Sequence, residues 1–208
     1  MIAFEDKMRA GGPPALHHAG EFFMGTDPVH ETLHAITKKL DDLGIKYSVV
    51  GALAMGAHGY VRNTTDVDIL VTRAGNLAAR EHLDGLGYVP PFPGSRNLRD
   101  TATGVRIEFL ITGEFPGDGK PKPVAFPDPA HVSIEIDGIH YLRLEPLIEL
   151  KLASGITNPN RLKDLADVQE LIRVLHPPRS LGESLHEYVR PKFYELWDGL
   201  QSEPPEPR

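Results

Sequence analysis

Residues Val49–Val71 read VVGALAMGAHGYVRNTTDVDILV, and this stretch decides the fold. An apolar run stops at Gly51, a short segment of small residues follows, and Asp66 and Asp68 then stand at the head of a second apolar run. In a strand, residues i and i+2 point to the same face, so these two carboxylates are expected about 6–7 Å apart. At that distance two negative charges repel by roughly 2.5 kcal/mol at an effective dielectric constant near 20.

The acidic pair has two interpretations. Asp is common in solvated turns, and an isolated Asp-x-Asp pattern at the entrance of a strand is usually such a turn edge. The apolar neighbours Val67 and Ile69 instead favour a buried strand, where Asp is disfavoured. Two carboxylates in a buried strand need an offsetting charge, and a divalent cation held by carboxylate oxygens supplies it. Asp66 and Asp68 are therefore a predicted metal site.

The order of the surrounding residues favours the metal site. A predicted strand, Gly51, a short helix, Gly59, Arg62 and Thr65 precede the acidic pair. This order resembles the nucleotidyltransferase superfamily of the DNA polymerase β type. In that superfamily a glycine-led turn holds the phosphates of a nucleotide, and an Asp-x-Asp strand carries two metal ions. The chain is most similar to the minimal bacterial branch that includes the AbiEii-like toxins of toxin–antitoxin systems, and the resemblance spans residues 45–172.

The resemblance implies a fold, a cofactor and partners. The expected fold is α+β, with a nucleotidyltransferase-type mixed β-sheet core flanked by helices and a C-terminal helical segment. Mg²⁺ (or Mn²⁺) is the implied cofactor, and a nucleoside triphosphate is the implied substrate. The implied acceptor is RNA such as tRNA, a protein or a small molecule, and a cognate antitoxin is an implied partner.

The glycine turn departs from the family pattern at one position. The family commonly has a second Gly or a Ser directly after the first glycine, and this chain has Ala52 there. Alanine keeps the backbone N–H that can face a phosphate but supplies no hydroxyl. The residues implied in nucleotide binding are Gly51, Ala52, Arg62, Thr65, Lys151 and Arg161.

Composition limits the class of protein. The 208 residues are 40% apolar and 25% charged, which is typical of a globular chain with one substantial core. There is no cysteine, which excludes disulfides, thiolate zinc sites and cysteine nucleophiles. No stretch approaches the ~20 apolar residues of a membrane span, and residues 1–14 lack a signal-peptide core, so a cytoplasmic location is expected. The net charge of −7 argues against broad, nonspecific nucleic-acid binding.

Four segments are predicted along the chain. They are a flexible N-terminal extension at 1–24, a nucleotidyltransferase core at 25–144, a helical subdomain at 145–200 and a disordered tail at 201–208. Within the core, a helix is expected to begin near Asp27 and to stop at Gly44, and Asp137-Gly138 predicts a hairpin turn. The other predicted strands lie at 45–50, 66–72, 88–89 and 105–112, and the C-terminal helices at 145–153, 159–175 and 181–200.

Glu108 is the candidate third carboxylate. The run VRIEFLIT at 105–112 alternates, with apolar residues on one side and Arg106 and Glu108 on the other. The family often uses a third acid on a neighbouring strand, which acts with the first two on metal or accepts the proton of the attacking hydroxyl. A surface ion pair between Arg106 and Glu108 is the alternative.

A second charged block lies near the C-terminus. Arg161, Asp164 and Asp167 are spaced at i, i+3 and i+6 on a predicted helix, a pattern that usually marks a solvated face. However, Lys151-Leu followed by R-x-x-D-x-x-D resembles the C-terminal motifs of the AbiEii-like branch. The resemblance implies that Lys151 contacts phosphate and Asp164 supports catalysis, with Arg161 and Asp167 as supports. The apolar neighbours of Lys151 predict a stem packed on the core and an ammonium that reaches the cleft.

Other candidate residues carry weaker signals. Arg62, four residues before Asp66, could pair with the carboxylates or with a triphosphate, since a guanidinium is a bidentate donor. His58 is more often a packed helix end than a catalyst. The segment GDGK at 117–120 resembles a fragment of a P-loop, but Pro121 occupies the Ser/Thr position, and a proline-rich loop is the better interpretation.

These patterns lead to one hypothesis and two alternatives. The hypothesis is a metal-dependent nucleotidyltransferase that transfers a nucleoside monophosphate to an acceptor hydroxyl. The alternatives are a non-catalytic binding protein that keeps the fold, for which Ala52 is the best support, and a metal-dependent phosphohydrolase. The candidate catalytic residues are Asp66, Asp68, Glu108, Lys151 and Asp164.

Overall fold

The computed structural model describes residues 3–9 and 12–202. In these ranges the strands are β1 (Tyr47–Val49), β2 (Asp66–Val71), β3 (Tyr88–Val89), β4 (Leu98–Asp100), β5 (Arg106–Ile111), β6 (Ser133–Ile136) and β7 (Ile139–Leu142). The helices are α1 (Phe4–Arg9), α2 (Gly12–Phe23), α3 (Pro28–Asp42), α4 (Gly51–Ala57), α5 (Arg73–Leu83), α6 (Pro129–Val132), α7 (Leu144–Thr157), α8 (Leu162–Leu175), α9 (Leu181–Ser184) and α10 (Arg190–Gln201). A 3₁₀ turn at Pro159–Arg161 joins α7 to α8.

The seven strands form a single mixed sheet in the order β3-β4-β5-β2-β1-β7-β6. At its centre, β2 runs antiparallel to β1 and parallel to β5. The outer pairs, β3 with β4 and β6 with β7, are antiparallel. The predicted α+β class, with a mixed sheet, flanking helices and C-terminal helices, is confirmed.

The pairing of β2 with β5 forms the centre of the sheet and places its acidic residues. β2 and β5 pair along six residues, from Asp66 opposite Arg106 to Val71 opposite Ile111. Alternate residues of β2 point to opposite faces, and the face that carries Val67 is fully buried. The other face begins with the polar side chain of Asp66, which is partly exposed. The sheet therefore presents acidic residues at one edge of an otherwise apolar core.

The helix before β1 follows the predicted signals. The carboxylate of Asp27 accepts hydrogen bonds from the backbone N–H groups of Val29 (2.8 Å) and His30 (3.4 Å), which caps α3. The helix ends at Asp42, and Gly44 follows with φ +66°, in the left-handed region that favours glycine. The buried stripe of this helix is Val29, Leu33, Ile36 and Leu40.

The N-terminal residues have more structure than their composition indicated. The segment 1–24 was expected to be a flexible extension, yet α1 and α2 occupy much of it and bury Phe4 and Phe22. The guanidinium of Arg99 donates to both carboxylate oxygens of Glu5, at 2.9 and 2.8 Å. Two apolar anchors and one bidentate ion pair outweigh the weak helix propensity of a Gly- and Pro-rich segment. At the other end, residues 203–208 of the predicted tail lie outside the described residues.

Two further predictions need correction. The helix predicted at 181–200 is divided into α9 and α10, because Pro191 lies in the first turn of α10 and lacks the N–H that a longer helix requires. Strand β4 was not predicted, since three residues are too few to show a period. The hairpin turn is confirmed, with Asp137 and Gly138 both at positive φ.

None of the helices in the described ranges has the length and apolar character to cross a membrane.

Candidate active site

Three carboxylates meet at the start of β2 and β5. Asp66 and Asp68 lie on β2, and the strand register places Glu108 of β5 directly opposite Asp68. One carboxylate oxygen from each residue lies within 4.8 Å of the others, and all three side chains are partly buried. We call these residues the carboxylate triad. Carboxylate oxygens at this spacing are the ligands that Mg²⁺ and Mn²⁺ prefer.

Arg106 supplies positive charge beside the triad. Its guanidinium donates to Glu108 Oε2 at 2.6 Å and lies 3.4 Å from Asp66 Oδ2. The ion pair that the sequence offered as an alternative role for Glu108 therefore exists together with the triad. One guanidinium does not neutralise three carboxylates, so the cluster keeps an excess of negative charge.

The electrostatics of Asp68 reflect this excess. Burial, together with the neighbouring charges of Asp66 and Glu108, raises the pKa of Asp68 to about 7, although Lys151 and Arg106 act in the opposite direction. A cation at the triad would favour the ionised form by opposing both effects. The residues present therefore fit a divalent metal ion.

Gly51 and Asp68 are in direct contact. Gly51 begins α4 with φ +65°, and a Cβ atom built on it would lie 2.2 Å from Asp68 Oδ2. The N–H of Val50 donates to the carbonyl of Asp68 at 2.9 Å, which fixes the turn against β2. Any side chain at position 51 would both strain the backbone and displace the carboxylate. Ala52, the departure from the family pattern, is buried in α4.

Two neighbouring threonines differ in their placement. Thr64 donates its hydroxyl to Asp66 Oδ1 at 2.7 Å and lines the same cleft as the triad. Thr65, which the sequence suggested for nucleotide binding, is partly buried beside it and does not line that cleft. Thr64 is thus a site residue that the sequence did not single out.

A buried charge network lies between α7, α8 and the segment before β2. Lys151 is 7% exposed, and its ammonium donates to Asp167 Oδ2 at 2.7 Å and Asp164 Oδ1 at 3.3 Å. Arg62 binds Asp167 through two hydrogen bonds of 2.8 and 3.0 Å. The predicted stem packing of Lys151 is confirmed, but its ammonium is held by two carboxylates. Arg62 likewise pairs with Asp167 on α8 and not with the triad.

Asp164 completes this network. Its carboxylate accepts hydrogen bonds from Ser154 Oγ at 2.6 Å and Arg161 Nε at 2.8 Å, in addition to Lys151. Burial on its own raises the pKa of Asp164, but the charge of Lys151, with the Ser154 and Arg161 hydrogen bonds, holds this pKa below its ordinary value. Asp164 is therefore ionised and fully paired at neutral pH.

One cleft joins these groups. It has a volume of about 790 Å³ and extends from Gly51 and the triad to α7, α8 and the loop at residues 113–119. We refer to it as the cleft. Its basic lining residues are Arg62, Arg96, Arg106, Lys151, Arg161 and Lys163. Lys163 and Arg96 were not singled out from the sequence, because Lys163 occupies an unspecified position of R-x-x-D-x-x-D and Arg96 lies in no recognisable motif.

Two weaker candidates are structural. His58 Nε2 lies 2.8 Å from the carbonyl oxygen of Leu142, which places it at a packed helix end, as expected. Gly117 lies against α7, where an added Cβ would come within 2.8 Å of the Ser154 carbonyl oxygen. The segment 117–120, which resembled part of a P-loop, is a loop, and its residues 117–119 form one wall of the cleft.

Comparison with known proteins supports the fold. No protein-family model and no curated protein matches the sequence. Among solved structures, ANT(2")-Ia in complex with adenylyl-2"-tobramycin is 13% identical with a TM-score of 0.52, and the match covers 79% of this chain and 96% of that one. A protein described as a nucleotidyltransferase from H. pylori is 14% identical with a TM-score of 0.47, covering 92% and 95%. JHP933 from Helicobacter pylori is 15% identical with a TM-score of 0.47, covering 91% of each chain. The chain has a nucleotidyltransferase-type fold.

Proposed function

We propose that this protein is a metal-dependent nucleotidyltransferase, which transfers a nucleoside monophosphate from a nucleoside triphosphate to an acceptor hydroxyl. The observation that carries the proposal is the contact between Gly51 and Asp68, together with the register that places Glu108 opposite Asp68. A glycine turn, two carboxylates on one strand and a third on the next strand converge at one end of the cleft. Phosphoryl transfer needs little else than such positioning and charge neutralisation.

The triad is the proposed metal site. Asp66, Asp68 and Glu108 would hold Mg²⁺ or Mn²⁺ through carboxylate oxygens. A divalent ion bound there would supply charge neutralisation for the phosphate oxygens and would help to ionise the acceptor hydroxyl. Arg106 donates to Glu108 and so fixes the orientation of that carboxylate. Glu108 is the proposed acceptor of the proton that the attacking hydroxyl releases.

The remaining residues have proposed roles in binding the nucleotide. Gly51 and Ala52 line the cleft beside the triad, so their backbone N–H groups would face the terminal phosphates. Thr65, Arg62 and Arg161 remain candidates for nucleotide binding from the sequence. Because Arg62 already binds Asp167 bidentately, we expect it to orient the cleft wall first.

Lys151 and Asp164, which the sequence suggested as catalytic residues, are given a positioning role instead. Both line the cleft, and each is nevertheless bound to the other within the buried network. A fully paired ammonium contributes less to a ligand than a free one, because its charge is already compensated. We therefore propose that this pair positions α8 against α7, next to the triad.

The proposal includes three classes of acceptor. They are RNA such as tRNA, a protein hydroxyl and a small polyhydroxylated molecule. The structurally similar ANT(2")-Ia is in complex with adenylyl-2"-tobramycin, which is an example of the last class. The resemblance to the AbiEii-like branch adds a toxin role and a cognate antitoxin, for which RNA or protein is the expected acceptor. Labelling of total RNA, total protein and aminoglycosides in parallel separates these acceptors.

The test of the reaction compares two labels. The protein is incubated with Mg²⁺, acceptor and each nucleoside triphosphate, labelled on either the α- or the γ-phosphate. A nucleotidyltransferase places α-label on the acceptor and releases γ-label as pyrophosphate. Release of γ-label as inorganic phosphate indicates a phosphohydrolase, and binding without any turnover indicates a binding protein. Asp66→Asn/Asp68→Asn is the matched inactive variant.

A further inference from the structure

The positive charges of the cleft are mostly neutralised by the protein itself. Six basic side chains line the cleft, and in the described part of the chain five of them are in ion pairs with carboxylates. Those pairs are Arg62 with Asp167, Arg96 with Glu114, Arg106 with Glu108 and Asp66, Lys151 with Asp164 and Asp167, and Arg161 with Asp164. A triphosphate carries several negative charges, and each of these five residues would have to adjust an existing ion pair to bind it, although Arg62, Lys151 and Arg161 share only two carboxylates.

Lys163 differs from the other five. Among the residues that the structure describes, no ion pair or hydrogen bond is found for its ammonium, and the residue is exposed. It lies in the first turn of α8, one residue before the buried Asp164, and its side chain lines the cleft. A solvated ammonium at this position is free to bind an anion without first breaking an internal pair.

The charged neighbours of Lys163 belong both to the buried network and to the triad. Although the residue is exposed, partial desolvation of its ammonium lowers its pKa, and the nearby charges of Arg62 and Lys151 lower it further, while Asp167 and Asp66 act in the opposite direction. Asp66 belongs to the triad, so the ammonium lies within electrostatic range of the proposed metal site.

We propose that Lys163, rather than Lys151, binds the phosphate chain of the nucleoside triphosphate in the cleft. This inference rests on the proposed function, and it names the ligand chemistry of a residue whose identity the motif R-x-x-D-x-x-D leaves unspecified. Lys151 is buried against two carboxylates, so moving its ammonium to a ligand would leave both without their cation. Lys163 makes the same contact at no such cost.

The test measures binding in the absence of turnover. Calorimetry with Mg²⁺ and the α,β-methylene analogues of ATP, CTP, GTP and UTP first identifies the analogue that the wild type binds, and the matching monophosphate is then titrated. Lys163→Ala should weaken binding of the triphosphate analogue roughly ten- to a hundredfold, the scale of one charge-assisted hydrogen bond. Binding of the monophosphate should change less than threefold. Lys163→Arg keeps the charge and should restore most of the affinity.

Two variants control for general effects. Lys39→Ala removes an exposed lysine from α3, outside the cleft, and should bind as the wild type does. The urea midpoint of Lys163→Ala should equal that of the wild type, because an exposed lysine contributes little to stability. Wild type that binds none of the analogues overturns the proposed function. If Lys163→Ala binds the triphosphate analogue as tightly as the wild type does, the role of Lys163 is wrong while the proposed function stands. The same conclusion follows if Lys163→Ala loses equal affinity for the triphosphate and the monophosphate.

Discussion

Asp68 on β2 and Glu108 on β5 occupy directly opposed positions on two parallel, central strands. Residues in register on adjacent strands point to the same face, so the two carboxylates share one small space with Asp66. Like charges directly opposite each other destabilise a sheet. When no cation is bound, this repulsion lowers the free energy of unfolding, and this effect can be measured.

The contribution of Asp68 to the stability of the metal-free protein should fall as pH rises from about 4 to about 7. Burial, with the charges of Asp66 and Glu108, raises the pKa of Asp68 to about 7 in the folded chain. In the unfolded chain the group ionises near pH ~3.9. Between these values the folded state binds more protons than the unfolded state, so the free energy of unfolding decreases with pH. Urea midpoints in EDTA from pH 4 to 8 measure this.

Asp68→Asn is the matched variant for this pH effect. It removes the titrating group, so the difference between the variant and the wild type isolates Asp68 from all other groups. The variant should be as stable as the wild type near pH 4 and more stable above pH 7. Parallel pH profiles for the two proteins would contradict the prediction.

Divalent metal should bind the triad weakly alone and more tightly with nucleotide. Mg²⁺ dehydrates reluctantly and prefers to share its ligands between carboxylate and phosphate oxygens. Calorimetry with Mg²⁺, with and without a nonhydrolysable nucleoside triphosphate, compares the wild type with Asp66→Asn/Asp68→Asn. The exposed Glu135→Gln, on the edge strand β6, is the control for loss of one negative charge. Equal binding of the metal–nucleotide complex by the double variant would show that the metal site is elsewhere.

Gly51→Ala should abolish metal-dependent nucleotide binding. The added Cβ would lie 2.2 Å from Asp68 Oδ2, so either the turn or the carboxylate must move. Gly44→Ala is a closely matched control, because Gly44 has φ +66° and nothing within 4 Å of the added Cβ. Both variants should lose about 1–2 kcal/mol of stability for a left-handed alanine. Only Gly51→Ala should also lose binding, and equal binding by both variants would contradict the assignment.

Lys151→Ala should destabilise the protein. The lysine is buried, and its removal leaves Asp164 and Asp167 with fewer cations. Since Arg161 and Arg62 still pair with these carboxylates, we expect a loss of about 2–3 kcal/mol, below the figure for an uncompensated buried charge. Urea unfolding of Lys151→Ala and Lys163→Ala gives the comparison, and the exposed Lys163 should show no loss. A wild-type midpoint for Lys151→Ala would mean that the network does not stabilise the fold.

The central part of the fold could be predicted because its signals are local. The alternation of β5, the cap at Asp27 and the turn at Asp137 depend on neighbours within a few residues, and the structure confirms each. The N-terminal helices and β4 could not be predicted in this way. α1 is stabilised by the distant pair of Glu5 and Arg99, and β4 depends on its pairing with β5.

The sequence by itself determined the order of the glycine turn and the acidic strand, and thereby the α+β class and two members of the triad. Those features follow from residue spacing along single strands and helices, where the period determines the face to which each side chain points. The tertiary structure alone decided which charges compensate one another. Asp167 lies 105 residues from Arg62, yet it binds that guanidinium and the Lys151 ammonium together. Since electrostatic energy depends on distances in space and on burial, the sequence did not show that Lys163, at an unspecified position of R-x-x-D-x-x-D, is the cleft lysine without an ion pair among the described residues.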